Sequence, residues 1–194
     1  MKRNTITIVS GLPRSGTSLM MMMLEAGGMP VLTDHIRTAD TDNPKGYYEF
    51  ERVKAIERDQ AWLKEADGKA VKMISALLKY LPQNYAYRII FMRREMEEIL
   101  ASQRQMLIRR GEPTDTVSDE RIAGLSHEHL HRVATWIDDQ PNIDVLYVNY
   151  NEILKDPLTQ ARRTAEFVDI DLNVEKMSQA VDPSLYRQRL RRRD

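Results

Sequence analysis

TITIVSGLPRSGTSLMMMMLEA, residues 5–26, passes from a β-rich run through a Gly/Pro loop into a helical run, and its reading decides the fold. Residues 5–10 have the β-branched content of a short strand, and the helix runs from Thr17 to about Ala26, ended by Gly27-Gly28. Gly11 and Gly16 bracket a four-residue loop, and Thr17 and Ser18 open the helix. Glycines let successive N–H groups turn toward one oxyanion, and a helix N-terminus adds its positive end, so this junction is expected to be an anion cradle. The Walker A pattern would place Lys directly after Gly16; here that residue is Thr17, and the cation stands earlier, at Arg14.

Outward from this junction, strands and helices alternate. Residues 34–48 are polar and turn-rich and read as a loop, and Glu49 to about Ala66 reads as a helix with Val53, Ile56 and Trp62 on its apolar side. Residues 69–74 and 87–92 suit buried parallel strands; helices are expected at about 95–110, 119–139 and 157–168, and a strand at 144–149. The expected fold is therefore α/β: a three-layer P-loop-type domain with a mainly parallel sheet and helices on both faces. It is expected to fill residues 1–194 as a single domain, with about 185–194 as a basic tail.

Composition narrows the chemistry. The 194 residues carry 29 Lys and Arg against 29 Asp and Glu, so no global charge draws the chain to nucleic acid, and no nucleic-acid partner is expected. Without Cys there is no disulfide scaffold, no thiolate nucleophile and no Cys-ligated metal. No apolar stretch approaches the roughly 18 residues of a membrane span, and Lys2-Arg3 leads into an alternating strand rather than a signal core; a cytoplasmic protein is expected.

The anion is narrowed by what the strand ends lack. A metal-assisted nucleotide hydrolase wants an acid at the end of a neighbouring strand to hold magnesium. IIFMRR at 89–94 and VLYVNY at 145–150 supply no Asp there. A sulfuryl group carries less charge than a terminal phosphoryl group, so fixed cations and N–H donors can stabilise its transfer without a metal.

PRSGTS at 13–18 resembles the 5′-phosphosulfate loop of the sulfotransferase family, whose donor is PAPS, 3′-phosphoadenosine 5′-phosphosulfate. The family's second donor motif is a strand-end Arg followed by a Ser eight residues on, both on the donor's 3′-phosphate. FMRREMEEILAS at 91–102 puts Arg94 and Ser102 at that spacing, with Arg93 the alternative if the register slips by one. DNPKGYYE at 42–49 resembles a third segment, seen in compact bacterial members. The resemblance implies transfer of a sulfuryl group from PAPS to a hydroxyl or amine of an acceptor, releasing PAP, with no metal required. It implies donor binding by Pro13, Arg14, Ser15, Gly16, Thr17, Ser18, Arg94 and Ser102, the 5′-phosphate being held by backbone N–H groups from Ser15 to Ser18 and the last two hydroxyls.

For catalysis the resemblance places Arg14 beside the bridging and sulfuryl oxygens. The family often has Lys there; Arg clamps oxygens but keeps its proton. Some members take the acceptor's proton with a His after a Lys-x-His strand end, but VKMIS at 71–75 keeps Lys72 and has Ile74 where that His would fall. Others use a Glu. Glu49 is the leading candidate base, with His35 and Asp34 as alternatives, and Lys72 could reach the sulfuryl group.

Three further features compete. HEHLH at 127–131 satisfies the zinc-protease pattern HExxH, but the strand–loop–helix order belongs to another architecture, and a His-rich helix face is the plainer reading. Met20–Met23 reads as core rather than a thioether metal box. RQRLRRR at 187–193 reads as a frayed tail, or as a late segment folding back on the donor's 3′-phosphate. Two other functions fit a cradle of this kind: a nucleotide kinase or NTPase with an atypical loop, and a non-catalytic nucleotide-binding module. The acceptor, a small molecule or a biopolymer, is expected to lie between the 34–48 loop and the 95–139 helix pair. Its identity and the oligomeric state stay open.

Overall fold

The computed structural model describes residues 5–34, 36, 46–114 and 116–182. Within them five parallel strands form one sheet: β1 (Thr5–Gly11), β2 (Val31–Leu32), β3 (Ala70–Lys72), β4 (Ala86–Arg93) and β5 (Ile143–Asn149), in the order β2-β3-β1-β4-β5. The register runs Ile8 beside Val71 on one side and Ile89 on the other, and Gly11 beside Met92, so the loop after β1 emerges next to the end of β4. That adjacency brings the two motif junctions together.

Alternation along each strand separates two cores. Ile6 and Ile8 of β1, Tyr87, Ile89 and Phe91 of β4, and Tyr147 of β5 face one side. There they meet Leu130, Val133 and Trp136 of α3 (Asp119–Asp138), together with Val53, Ile56, Trp62, Leu63 and Leu78. Val9, Ile90, Met92 and Val148 face the other side. They pack on α1 (Thr17–Ala26), α4 (Tyr150–Lys155), α5 (Pro157–Val168) and α6 (Val174–Gln179). Met20, Met21 and Met23 are fully buried in this second core, as the core reading of the Met run expects. Flexible thioethers fill the irregular space between β1 and the helices, each such burial being worth roughly 1.5–3 kcal/mol. α2 (Met96–Arg110) leads away from β4.

The expected α/β class with helices on both faces is what forms. The expected helix from Glu49 to about Ala66 does not. Glu49 lies in an irregular segment, followed by two short 3-10 helices, Glu51–Ala55 and Ala61–Lys64. The break lies at Asp59, whose carboxylate accepts the Ala61 amide at 3.0 Å with one oxygen and Arg52 Nη2 and Nε at 3.0 and 3.2 Å with the other. A short acidic side chain that bonds nearby amides gives the backbone an alternative to continuing a helix. Strand 69–74 shrinks to Ala70–Lys72, because a 3-10 helix begins at Ser75. Strand β2 and helices α4 and α6 were absent from the sequence reading.

Candidate donor and acceptor site

The loop after β1 needs both of its glycines. Gly11 has φ +147°, and a Cβ there would stand 2.5 Å from Ser15 Oγ and 2.7 Å from the Met92 carbonyl oxygen. Gly16 has φ +102°, and its Cβ would stand 2.5 Å from the Tyr150 ring. Any larger residue meets both a disfavoured backbone and a wall. Arg14, at the loop's crest, also holds positive φ, 71°. Strain of this kind persists where the surroundings fix it and clusters at binding sites.

Gly16 occupies the N-cap of α1 with no side chain closing the first turn. The amides at the start of that helix therefore lack the side-chain oxygen that usually satisfies them. Of the four amides expected to face a phosphate, that of Ser15 instead donates to the Leu12 carbonyl at 3.2 Å, closing the loop on itself. Ser15 is buried, and its Oγ has no hydrogen-bond partner among the described residues. A buried hydroxyl without a partner and an uncapped helix start are both what a polyoxyanion would satisfy.

The second junction reaches this loop directly. Arg14 Nε donates to Ser102 Oγ at 2.8 Å, and Arg94 Nη1 donates to the Arg14 carbonyl at 3.1 Å. Of the two arginines left open by the sequence, Arg94 is the one with this bond to the loop, and both line the cavity that reaches Leu12 and Ser15. Arg93 lies on the opposite face of β4, its guanidinium carbon 3.7 Å from the centre of the Tyr147 ring. Arg94 stacks over Tyr150 at 4.4 Å. Its Nε donates to Glu98 Oε2 at 2.9 Å, and both side chains are nearly excluded from solvent. Glu98 Oε1 accepts from Asn151 Nδ2 at 3.2 Å. Burial raises the Tyr150 phenol above its ordinary value, with Glu98 adding to the rise while Arg94 and Arg14 oppose it.

On the other flank, at the end of β3, Lys72 Nζ donates to the Tyr47 carbonyl and stands 3.4 Å from Ser18 Oγ and 3.8 Å from Glu49 Oε1. The Glu49 carbonyl accepts from Thr33 Oγ1 at 2.9 Å and from the Asp34 amide at 3.1 Å. Those bonds tie the irregular segment across the mouth of the loop. Asp34, an alternative base, has its carboxylate engaged by the Glu51 amide at 2.6 Å and the Ile36 amide at 3.0 Å. Slight burial works against its charge, but these amides outweigh that and hold its pKa below the ordinary 3.8. The Asp34 carboxylate thus holds the Glu51 and Ile36 amides while its own backbone amide meets the Glu49 carbonyl, so the two candidate bases sit in one bonded segment. His35 lies outside the described residues, as do residues 42–45 of the third segment and the tail from 183 onward.

The histidines of α3 part company. His129 turns to Ser75, Nε2 to Oγ 2.8 Å. Glu128 pairs at 3.7 Å with Arg132, both well exposed. His127 and His131 stand on the wall of a cavity of about 480 Å³ that also touches Leu12, Ser15, Arg93 and Tyr147. Among the described residues, no three His, Asp or Glu side chains gather as a metal site. None of the described helices is long and apolar enough to cross a membrane.

Sequence reasoning missed Glu98, Asn151, Tyr150 and Tyr47. The Glu four residues beyond Arg94, at the spacing of a helix-face pair, was the available signal for the first; the others join only through the tertiary fold.

A family model described as Sulfotransferase domain matches residues 4–189. No curated protein sequence matches the chain. Among solved structures, the sulfotransferase domain from the Synechococcus PCC 7002 olefin synthase superposes with TM-score 0.59 at 14% identity, over 99% of this chain and 90% of that one. The sulfotransferase domain from the curacin biosynthetic pathway gives 0.55 at 13%, over 94% and 79%. Mouse sulfotransferase SULT7A1, complexed with PAP, gives 0.55 at 20%, over 92% of this chain and 63% of that one. At such identities the superpositions speak for the fold, and the family rests on the match along almost the whole sequence: this chain belongs to the sulfotransferase domain family.

Proposed function

We propose that the protein transfers the sulfuryl group of PAPS to a hydroxyl or amine of an acceptor and releases PAP. The observation that carries this reading is the meeting of the two junctions: the Arg14 side chain on Ser102, and Arg94 on the Arg14 carbonyl. One anion-binding loop would serve many phosphates. A second Arg/Ser pair in contact with its crest suits a ligand with oxyanions at two ends.

The chain's own residues then take distinct tasks. The amides of Gly16, Thr17 and Ser18 hold the 5′-phosphate at the start of α1, and Ser15 Oγ finds there the partner it lacks. Arg94 and Ser102 hold the 3′-phosphate. Arg14 at the loop's crest and Lys72 on its flank offset charge as the acceptor oxygen or nitrogen bonds to sulfur and the bond from sulfur to the 5′-phosphate oxygen breaks. Arg14 cannot hand a proton to that leaving oxygen. Glu49, 3.8 Å from Lys72, takes the acceptor's proton. The cavity walled by His127 and His131 is large enough for the acceptor's body.

Calorimetry with PAP, ATP and GTP, with and without magnesium, tests the reading. Tight PAP binding independent of magnesium, with transfer to at least one acceptor, is the expected result. Magnesium-dependent ATP turnover would replace it with a kinase or NTPase. PAP binding without transfer to any acceptor would leave a nucleotide-binding module.

A further inference from the structure

Glu98 is an acid in an awkward place. It lies in the first turn of α2, its side chain 1% exposed, beside the Arg/Ser pair assigned to a phosphate. A buried carboxylate next to an anion site weakens anion binding by charge alone, and a buried ion pair by itself is weak evidence for stability. The geometry offers a different use. Glu98 accepts Arg94 Nε at 2.9 Å with one oxygen and Asn151 Nδ2 at 3.2 Å with the other, so its carboxylate is held from two sides. Arg94 is held at a second edge by the Arg14 carbonyl, and its guanidinium carbon lies over the Tyr150 ring, 4.4 Å from the ring centre. A guanidinium pinned at Nε and Nη1 against an aromatic face keeps a fixed direction, and fixed direction is what lets an Arg read an oxyanion rather than merely attract it.

We infer that Glu98, anchored by Asn151, is a positioning residue that makes the site select nucleotides carrying a 3′-phosphate, by aiming Arg94. The inference rests on the donor reading above and sharpens it. Loss of charge and loss of aim have opposite signs here. Replacing Glu98 with Gln removes a negative charge, which by Coulomb attraction strengthens binding of every anion, and most of all the more highly charged PAP. It also replaces a charge-assisted bond to Arg94 with a weaker neutral one. The inference requires the second effect to win for the 3′-phosphate.

The measured quantity is the ratio of the 5′-AMP dissociation constant to that of PAP, by calorimetry, for the wild type, Glu98→Gln, Asn151→Ala and Arg94→Ala. The expected result is a wild-type ratio well above ten. Glu98→Gln should lower it at least fivefold and Asn151→Ala by a smaller factor in the same direction. Adding Glu98→Gln to Arg94→Ala should change it no further, because the effect passes through that residue. A merely structural Glu98 would weaken AMP and PAP together and leave the ratio constant, which overturns the inference, as does a ratio that rises. Asn151→Ala, which leaves the ion pair in place, answers the question should Glu98→Gln fold poorly. A wild-type ratio near one sinks the donor reading itself; a high wild-type ratio unmoved by Glu98→Gln sinks the positioning role alone.

Discussion

Arg14 and Ser102, 88 residues apart, share a hydrogen bond of 2.8 Å. One stands at the crest of the loop after β1 and the other on α2, and the parallel pairing of β1 with β4 is what brings them within reach. Ser102 Oγ is the acceptor in this bond, so its own O–H can still donate. The pair thus links the two ends of the proposed donor site in one contact.

That contact predicts unequal losses. Ser102→Ala removes one hydroxyl at a charged partner, worth on the order of 1.5–3 kcal/mol, so PAP should bind roughly ten- to a hundredfold more weakly. Arg14→Ala should weaken PAP and abolish transfer. Because residue 14 holds φ 71°, Arg14→Gly removes the guanidinium without asking a Cβ to tolerate that backbone. Both variants should lose transfer alike; calorimetry and single-turnover assays compare them, and activity retained by Arg14→Gly would remove the side chain from catalysis.

Glu49→Gln should leave PAP affinity within about twofold and lower single-turnover transfer by about 10²–10⁴-fold, the usual range for a general base. The amide keeps the shape of the side chain beside Lys72 but accepts no proton. Wild-type single-turnover rates in Glu49→Gln would assign the base elsewhere.

Gly16→Ala should destabilise the fold and the site together. Its Cβ would press on the Tyr150 ring at 2.5 Å while the backbone holds φ +102°. Overpacking and a strained φ each cost on the order of 1–3 kcal/mol. Thermal unfolding should show a Tm several degrees lower, and a Tm equal to wild type would mean that the loop relaxes freely.

Much of this was legible in the chain. The strand–loop–helix at 5–26 and the apolar runs of β4 and β5 carry periodicity strong enough to fix the class, and the eight-residue spacing from Arg94 to Ser102 carried the second junction. That spacing put Arg94 first with Arg93 as the alternative; it carries no sign that Arg93 goes to Tyr147 and Arg94 to Tyr150, contacts that arise only in the fold. The stretch after Glu49 misled because its apolar spacing fits a helix while Asp59 diverts the backbone through side-chain bonds that no periodicity records. The amides of Glu51 and Ile36 on the Asp34 carboxylate are likewise contacts that no spacing in the sequence signals.

The last prediction concerns His129, the middle histidine of HEHLH. Half-buried and bonded to Ser75, it has its pKa lowered from 6.5, first by burial and then by the nearby Arg132 charge. A depressed folded-state value means that the unfolded chain binds the proton more readily, so His129 supports the fold above about pH 6.5 and that support is lost as the pH falls toward the folded-state value. Asp34, Asp59, Glu120 and Asp156 are all held below their ordinary values of 3.8 or 4.5, so they do not titrate in this window. His129→Gln keeps a hydrogen-bonding group toward Ser75 and removes the proton. The Tm difference between pH 7.5 and pH 5.5 should therefore be smaller in His129→Gln than in the wild type. Equal differences would show that this helix face meets Ser75 without responding to acid.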